Sequence, residues 1–250
     1  MNKNSKILLI VEGQKAEPTL FKSLFSNYNI QVTEKNIYSY DTNIFTLYNK
    51  VFKEYEDDLD DMDFLLSLAA AESDPNKKKC LTSVDYSDII LVFDYEPQDP
   101  KFNMEHLMIM MKYFDESTDH GKLYINYPCV ESVRHFKSIP DKAFINRKVP
   151  LIDITEFGYK RIVGDEACIQ DLRKIDKNLF DYLIKENVNK GNMILNNQET
   201  SNFVKKYRAL NFLKLLDKID DKVSKEGDVY ILNTSIFFIC DYDINLISQD

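Results

Sequence analysis

Two apolar runs constrain this chain more than anything else in it. One is Lys6 to Gly13, KILLIVEG, and the other is Ile89 to Glu96, IILVFDYE. Each is short, continuous and rich in Ile, Leu and Val, the pattern of a strand buried on both faces of a sheet. Each ends abruptly in carboxylate: Glu12 after the first, Asp94 and Glu96 after the second. An acid in that position marks where a strand leaves the core. If the two strands are parallel neighbours, their acids meet.

The segments around these runs predict such a sheet. Gly13 supplies a turn, and Pro18 with Leu20, Phe21, Leu24 and Phe25 reads as a helix. A strand is expected over 36–40 and a helix over 43–55. A helical insertion is expected over about 57–80, opening in the acidic run EYEDDLDDMD, which reads as a solvated face. The strand over 88–94 is followed by a helix over 103–116, whose methionines read as core filler. A fourth strand, KLYIN, precedes a helix start at Pro128. Alternation of this kind predicts an α/β fold, a parallel sheet with helices on both faces. Its right-handed crossovers bring the strands' C-terminal ends to one edge, where ligands bind in open sheets. From Asp141 the pattern changes. Residues 165–187 and 199–222 read as amphipathic helices joined by NVNKGN, and DVYILNTSIFFICDYD holds two strand-like runs around Asn233-Thr234. The expected organisation is a sheet domain over 1–140 and a mainly helical subdomain over 141–250 packed on it.

Composition narrows the chemistry. A formal net charge of -9 argues against a broad basic surface for gripping long duplex nucleic acid. Cys80, Cys129, Cys168 and Cys240 are scattered, with no zinc-binding spacing. His106, His120 and His135 are too separated in sequence to suggest a His-centred triad. No secretory leader is read at the N-terminus, and no run approaches the ~20 apolar residues of a membrane span. These features predict a cytoplasmic protein with reduced thiols and no membrane partner.

On a parallel sheet, Glu12, Asp94, Glu96 and Glu131, the last just past the fourth strand, share one edge. Crowded carboxylates repel unless protonated or bound to a cation. Oxygen ligands without His or Cys favour Mg²⁺ or Mn²⁺. A cation held this way serves phosphoryl transfer.

KILLIVEG followed by FDYE resembles a Toprim domain, shared by topoisomerases, primases and several nucleases. VEGQKAEPTLF is similar to the EG-x-x-E opening of the OLD-type Toprim nucleases of abortive-infection and phage-defence systems, with Glu17 standing one residue further on. LYINYPCVESVRHF resembles the NP-x-x-E segment of the RloB-like group. The resemblance covers roughly residues 6–137. It implies a Toprim fold and a metal-dependent nuclease acting on DNA or RNA. By resemblance, Glu12 takes the acid/base role, and Asp94 and Glu96 bind Mg²⁺ or Mn²⁺, with Glu17 and Glu131 as further ligands. Lys15 and Arg134, with His135 and Lys137 nearby, are candidate phosphate contacts. The resemblance also implies an antiviral role, with an ATPase as possible partner. No G-x-x-x-x-G-K-[ST] occurs here, so that ATPase is another chain. The family pattern is Asp-x-Asp, whereas this chain has Asp94-Tyr95-Glu96.

Plainer readings stand beside these. Glu17 before Pro18 and Glu131 after Pro128 both suit the first turn of a helix, where the dipole favours an acid. Lys15 suits a solvated loop. The longer Glu96 leaves room for an inactive scaffold whose acidic edge binds metal or a partner. A receiver-like phospho-acceptor would need a strand-end lysine, and Lys137 is expected to follow a helix instead.

Overall fold

The computed structural model describes residues 6–31, 36–55 and 58–248. The first five residues, on which the leader reading partly rests, lie outside them, as do Glu56 and Asp57 of the acidic run.

The chain runs β1 (Ile7–Val11), α1 (Ala16–Asn27), β2 (Ile37–Ser39), α2 (Ile44–Val51), α3 (Phe64–Ala71), α4 (Pro75–Thr82), β3 (Asp88–Asp94) and α5 (Met104–Tyr113). It continues through β4 (Asp115–Glu116), β5 (Gly121–Asn126), β6 (Lys148–Pro150), α6 (Leu151–Phe157), α7 (Tyr159–Glu166) and α8 (Lys177–Leu195). It closes with α9 (Phe203–Arg208), α10 (Phe212–Glu226), β7 (Asp228–Tyr230) and α11 (Phe238–Asp243).

Five strands form one sheet in the order β2-β1-β3-β5-β4. The first four are parallel and the short β4 is antiparallel at the edge. The central strands are buried along their length: all of β1 and Ile90–Phe93 of β3 have no exposed surface. This is the α/β sheet, flanked by helices, that the two opening runs predict. The insertion between β2 and β3 is the helix pair α3–α4, anchored where Phe64 packs at a tilt on Phe52 and edge to face on Phe114. Asp63 and Asp74 cap the two helices by accepting backbone N–H groups.

Several boundaries differ from the sequence reading, each for a physical reason. The helix expected over 103–116 stops at Tyr113, because Phe114 turns into the core and its carbonyl accepts Leu123 N–H at 3.0 Å. The helix expected from Pro128 is a 3-10 turn, Val130–Arg134. The expected helix over 165–187 begins instead at Lys177, capped by Asp176, and runs on through NVNKGN to Leu195. The polar residues of that stretch are interior partners: Asn187 Nδ2 donates to Leu183 O, and Lys190 Nζ donates to the carbonyls of Phe144 and Arg147. The expected helix over 199–222 is two helices, because Asn202 caps α9 and Asn211 restarts the chain as α10. The run IFFICDYD is helical in α11, since a short buried apolar run has no periodicity that separates strand from helix. β7 pairs antiparallel with β6 as a separate two-stranded ribbon.

The last segment is tied to the main sheet by an isolated bridge, Tyr127 with Leu232. Beyond it, Asn233-Thr234-Ser235 is fully buried. Asn233 Nδ2 donates to Val130 O and Ser132 Oγ, and Thr234 Oγ1 donates to Ile125 O. Ser235 N–H donates to Asn126 Oδ1 at 3.2 Å. The core is one continuous cluster that includes residues from both halves of the chain.

Candidate metal centre

From β1 the chain crosses to β2 on one side, then returns to β3 on the other. The crevice between the C-terminal ends of β1 and β3 is therefore the switch point of the sheet, the usual place for a ligand. Glu12 and Asp94 stand at its two lips.

The ladder sets their spacing. Glu12 N–H continues the β1–β3 pairing by donating to Val92 O at 3.2 Å, and Glu12 Oε2 accepts Asp94 N–H at 3.2 Å. Asp94 ends β3 with only 6% of its surface exposed, and among the described residues its Oδ1 has no hydrogen-bond partner. Its register partner, Asn126 at the end of β5, likewise keeps a buried Nδ2 with no partner among the described residues. Between them in sequence, Tyr95 is buried and donates to Asp220 Oδ1 at 2.5 Å. Glu96 then adopts φ +40°, a left-handed conformation uncommon for such a residue, and strain of this kind gathers at functional sites. Glu12, Asp94 and Glu96 each present an oxygen within 4.8 Å of the other two.

Two further acids complete the group. Glu17 in the first turn of α1 is buried, with 4% exposed. A Cβ on Gly13 would lie 2.9 Å from Glu17 Oε2, so the glycine leaves room for that carboxylate. Glu131, in the 3-10 turn after β5, accepts the Cys129 thiol on Oε2 at 2.9 Å. Its Oε1 faces Lys160 Nζ at 3.7 Å.

The electrostatics follow from burial and repulsion. Glu12 is pushed up to about 8, first by burial and then by Glu96. Asp94 is raised well above its ordinary value by burial, then by Glu12, Glu17, Glu131 and Glu96. Burial also raises Glu17 and Glu96. A buried carboxylate oxygen without a donor is costly unless it meets a proton or a cation. Oxygen donors at this spacing suit a hard divalent ion such as Mg²⁺ or Mn²⁺, and the orphaned Asp94 Oδ1 would give such an ion an anchor.

The remaining sequence candidates lie elsewhere or are already engaged. Lys15 is exposed just before α1. Arg134 Nη1 donates to Ile169 O at 3.4 Å. His135 lies between Tyr159 Oη and Glu166 Oε2, each at 2.9 Å, and Lys137 pairs with Glu166. His106 stacks on Tyr48 and His120 on Tyr113. The sequence reading missed Lys160, Cys129 and Asn126. Cys129 had a local signal in its closeness to Glu131. Lys160 had none, being one lysine of a short helix far along the chain.

No protein family, characterised protein or solved structure matches this chain.

Proposed function

We propose that this protein is a metal-dependent nuclease that hydrolyses phosphodiester bonds in DNA or RNA. The observation that carries the reading is the buried, unpartnered Asp94 Oδ1 set against Glu12 and Glu96 at the switch point of the sheet. The Toprim resemblance of residues 6–137 points the same way, and antiviral defence with a separate ATPase partner rests on that resemblance alone.

In this reading Asp94 and Glu96 hold Mg²⁺ or Mn²⁺, with Glu17 and Glu131 lending charge behind them. The ion supplies positive charge for a phosphate oxygen and acidifies a water. Glu12 handles the proton. Its Oε2 is committed to Asp94 N–H, which leaves Oε1 to receive a proton from the attacking water. In the ion-free cluster, raised to about 8, Glu12 holds its proton at neutral pH; a bound cation would lower it and free the carboxylate to accept one.

The test is cleavage of plasmid DNA and of total RNA by purified protein with Mg²⁺, Mn²⁺ or EDTA. Metal-dependent cutting abolished by both Glu12→Gln and Asp94→Asn is the expected result. Cutting that survives EDTA and both substitutions would overturn the reading. Metal binding without cutting would favour the second reading, an acidic scaffold, to which the Glu96 departure lends support.

A further inference from the structure

The carboxylates fall into two lobes. Glu12, Asp94 and Glu96 form the first. Glu131 and Glu17, carried by a 3-10 turn and a helix that pack together, lie outside that triad and form the second. Phosphoryl-transfer sites commonly bind two cations about 3.5–4 Å apart. Here the second lobe already faces a cation of the chain itself.

We infer that Lys160 is a built-in cation that fills the second cation position of this cluster, so that the site takes a single divalent ion. The inference rests on the metal-dependent reading above. Lys160 Nζ stands 3.7 Å from Glu131 Oε1, while Cys129 Sγ donates to Glu131 Oε2 at 2.9 Å. Both oxygens of Glu131 are therefore engaged without a metal.

Its placement is built into the fold. Tyr159, the first residue of α7 and 5% exposed, bonds to His135 Nδ1. Glu166, the last residue of α7, bonds to His135 Nε2. One buried histidine thus clamps both ends of α7 beside the turn that carries Glu131. Gly158 at φ +78° turns the chain out of α6 into this helix. The Lys160 side chain is 72% exposed, so its ammonium approaches Glu131 from the solvent side.

The test counts Mn²⁺ bound to the full chain at neutral pH, by electron paramagnetic resonance of free Mn²⁺ and by calorimetry. Wild type, Lys160→Gln, Lys160→Ala and Lys160→Arg are compared, with thermal melting in EDTA. Wild type and Lys160→Arg are expected to bind one ion. Lys160→Gln and Lys160→Ala are expected to bind two, the second within about tenfold of the first in affinity. Both neutral variants should melt lower in EDTA and gain more from Mn²⁺ than wild type does, whereas loss of an ordinary surface contact would leave the Mn²⁺ gain the same as in wild type. One ion with unchanged affinity in the neutral variants overturns the inference. Two ions in wild type overturn it while leaving the metal site standing. No ion in wild type removes the metal site and this inference together.

Discussion

At the scale of single residues, the site is a problem of charge that the chain solves only in part. Glu12 is raised to about 8, and Asp94, Glu17 and Glu96 are raised with it. Acids shifted upward hold their protons more tightly folded than unfolded. Stability of the metal-free protein should therefore be greatest near the ordinary carboxylate value of 4.5 and fall as pH rises towards about 8. The fall should be on the order of a few kcal/mol. Urea denaturation in EDTA across that range measures it. Saturating Mg²⁺ should flatten the slope, and a slope unchanged by Mg²⁺ would argue that no ion meets these acids. Gly13 gives a second prediction. Its φ is not left-handed, so alanine strains no backbone there, but the new Cβ would meet Glu17 Oε2. Glu17 is a flexible side chain and swings away cheaply. Gly13→Ala should change stability by less than about 1 kcal/mol while weakening Mn²⁺ binding severalfold, read by calorimetry.

At the scale of elements, what the sequence discloses depends on whether polar residues sit outside. In β1 and β3 the rule holds, and an apolar run ending in acid was enough to place Glu12, Asp94 and Glu96 on one edge. In the second half it fails. Asn187, Lys190 and Asn233 have no exposed surface, yet each is of a type that usually faces water. They are buried because each bonds to backbone of another element or another turn, and no local pattern announces a partner a hundred positions away. Lys160 was invisible for the same reason, since its meaning lies in Glu131. The buried Asn233 is open to a direct test. Its Oδ1 accepts from Ser235 Oγ and Ile236 N–H, and its Nδ2 reaches Val130 O and Ser132 Oγ. Asn233→Ala strands several of these groups without water, which should cost about 2–4 kcal/mol. The midpoint of chemical denaturation reads that loss. A change under about 0.5 kcal/mol would mean the network contributes little.

At the scale of the molecule, the link from Asn233-Thr234-Ser235 runs to Asn126, and Asn126 is the register partner of Asp94. The C-terminal half therefore does two things for the site: it braces the end of β5 and it supplies Lys160. α8 packs against α1, which carries Glu17, and α10 packs against α5. Tyr95 within the acidic motif is held by Asp220 of α10. With so many interior ties between the halves, unfolding should be one cooperative event. Far-ultraviolet circular dichroism and tyrosine fluorescence should give coincident transitions. An ion bound only by the folded chain then stabilises everything at once. At a Mg²⁺ concentration about a hundredfold above its dissociation constant, the gain is about 2.7 kcal/mol. Both probes should shift to the same extent, because the acids at the sheet edge and the helices behind them unfold together. If Mg²⁺ moved only one probe, or if the two transitions separated on Asn233→Ala, the halves would be independent units and the site would belong to the first alone.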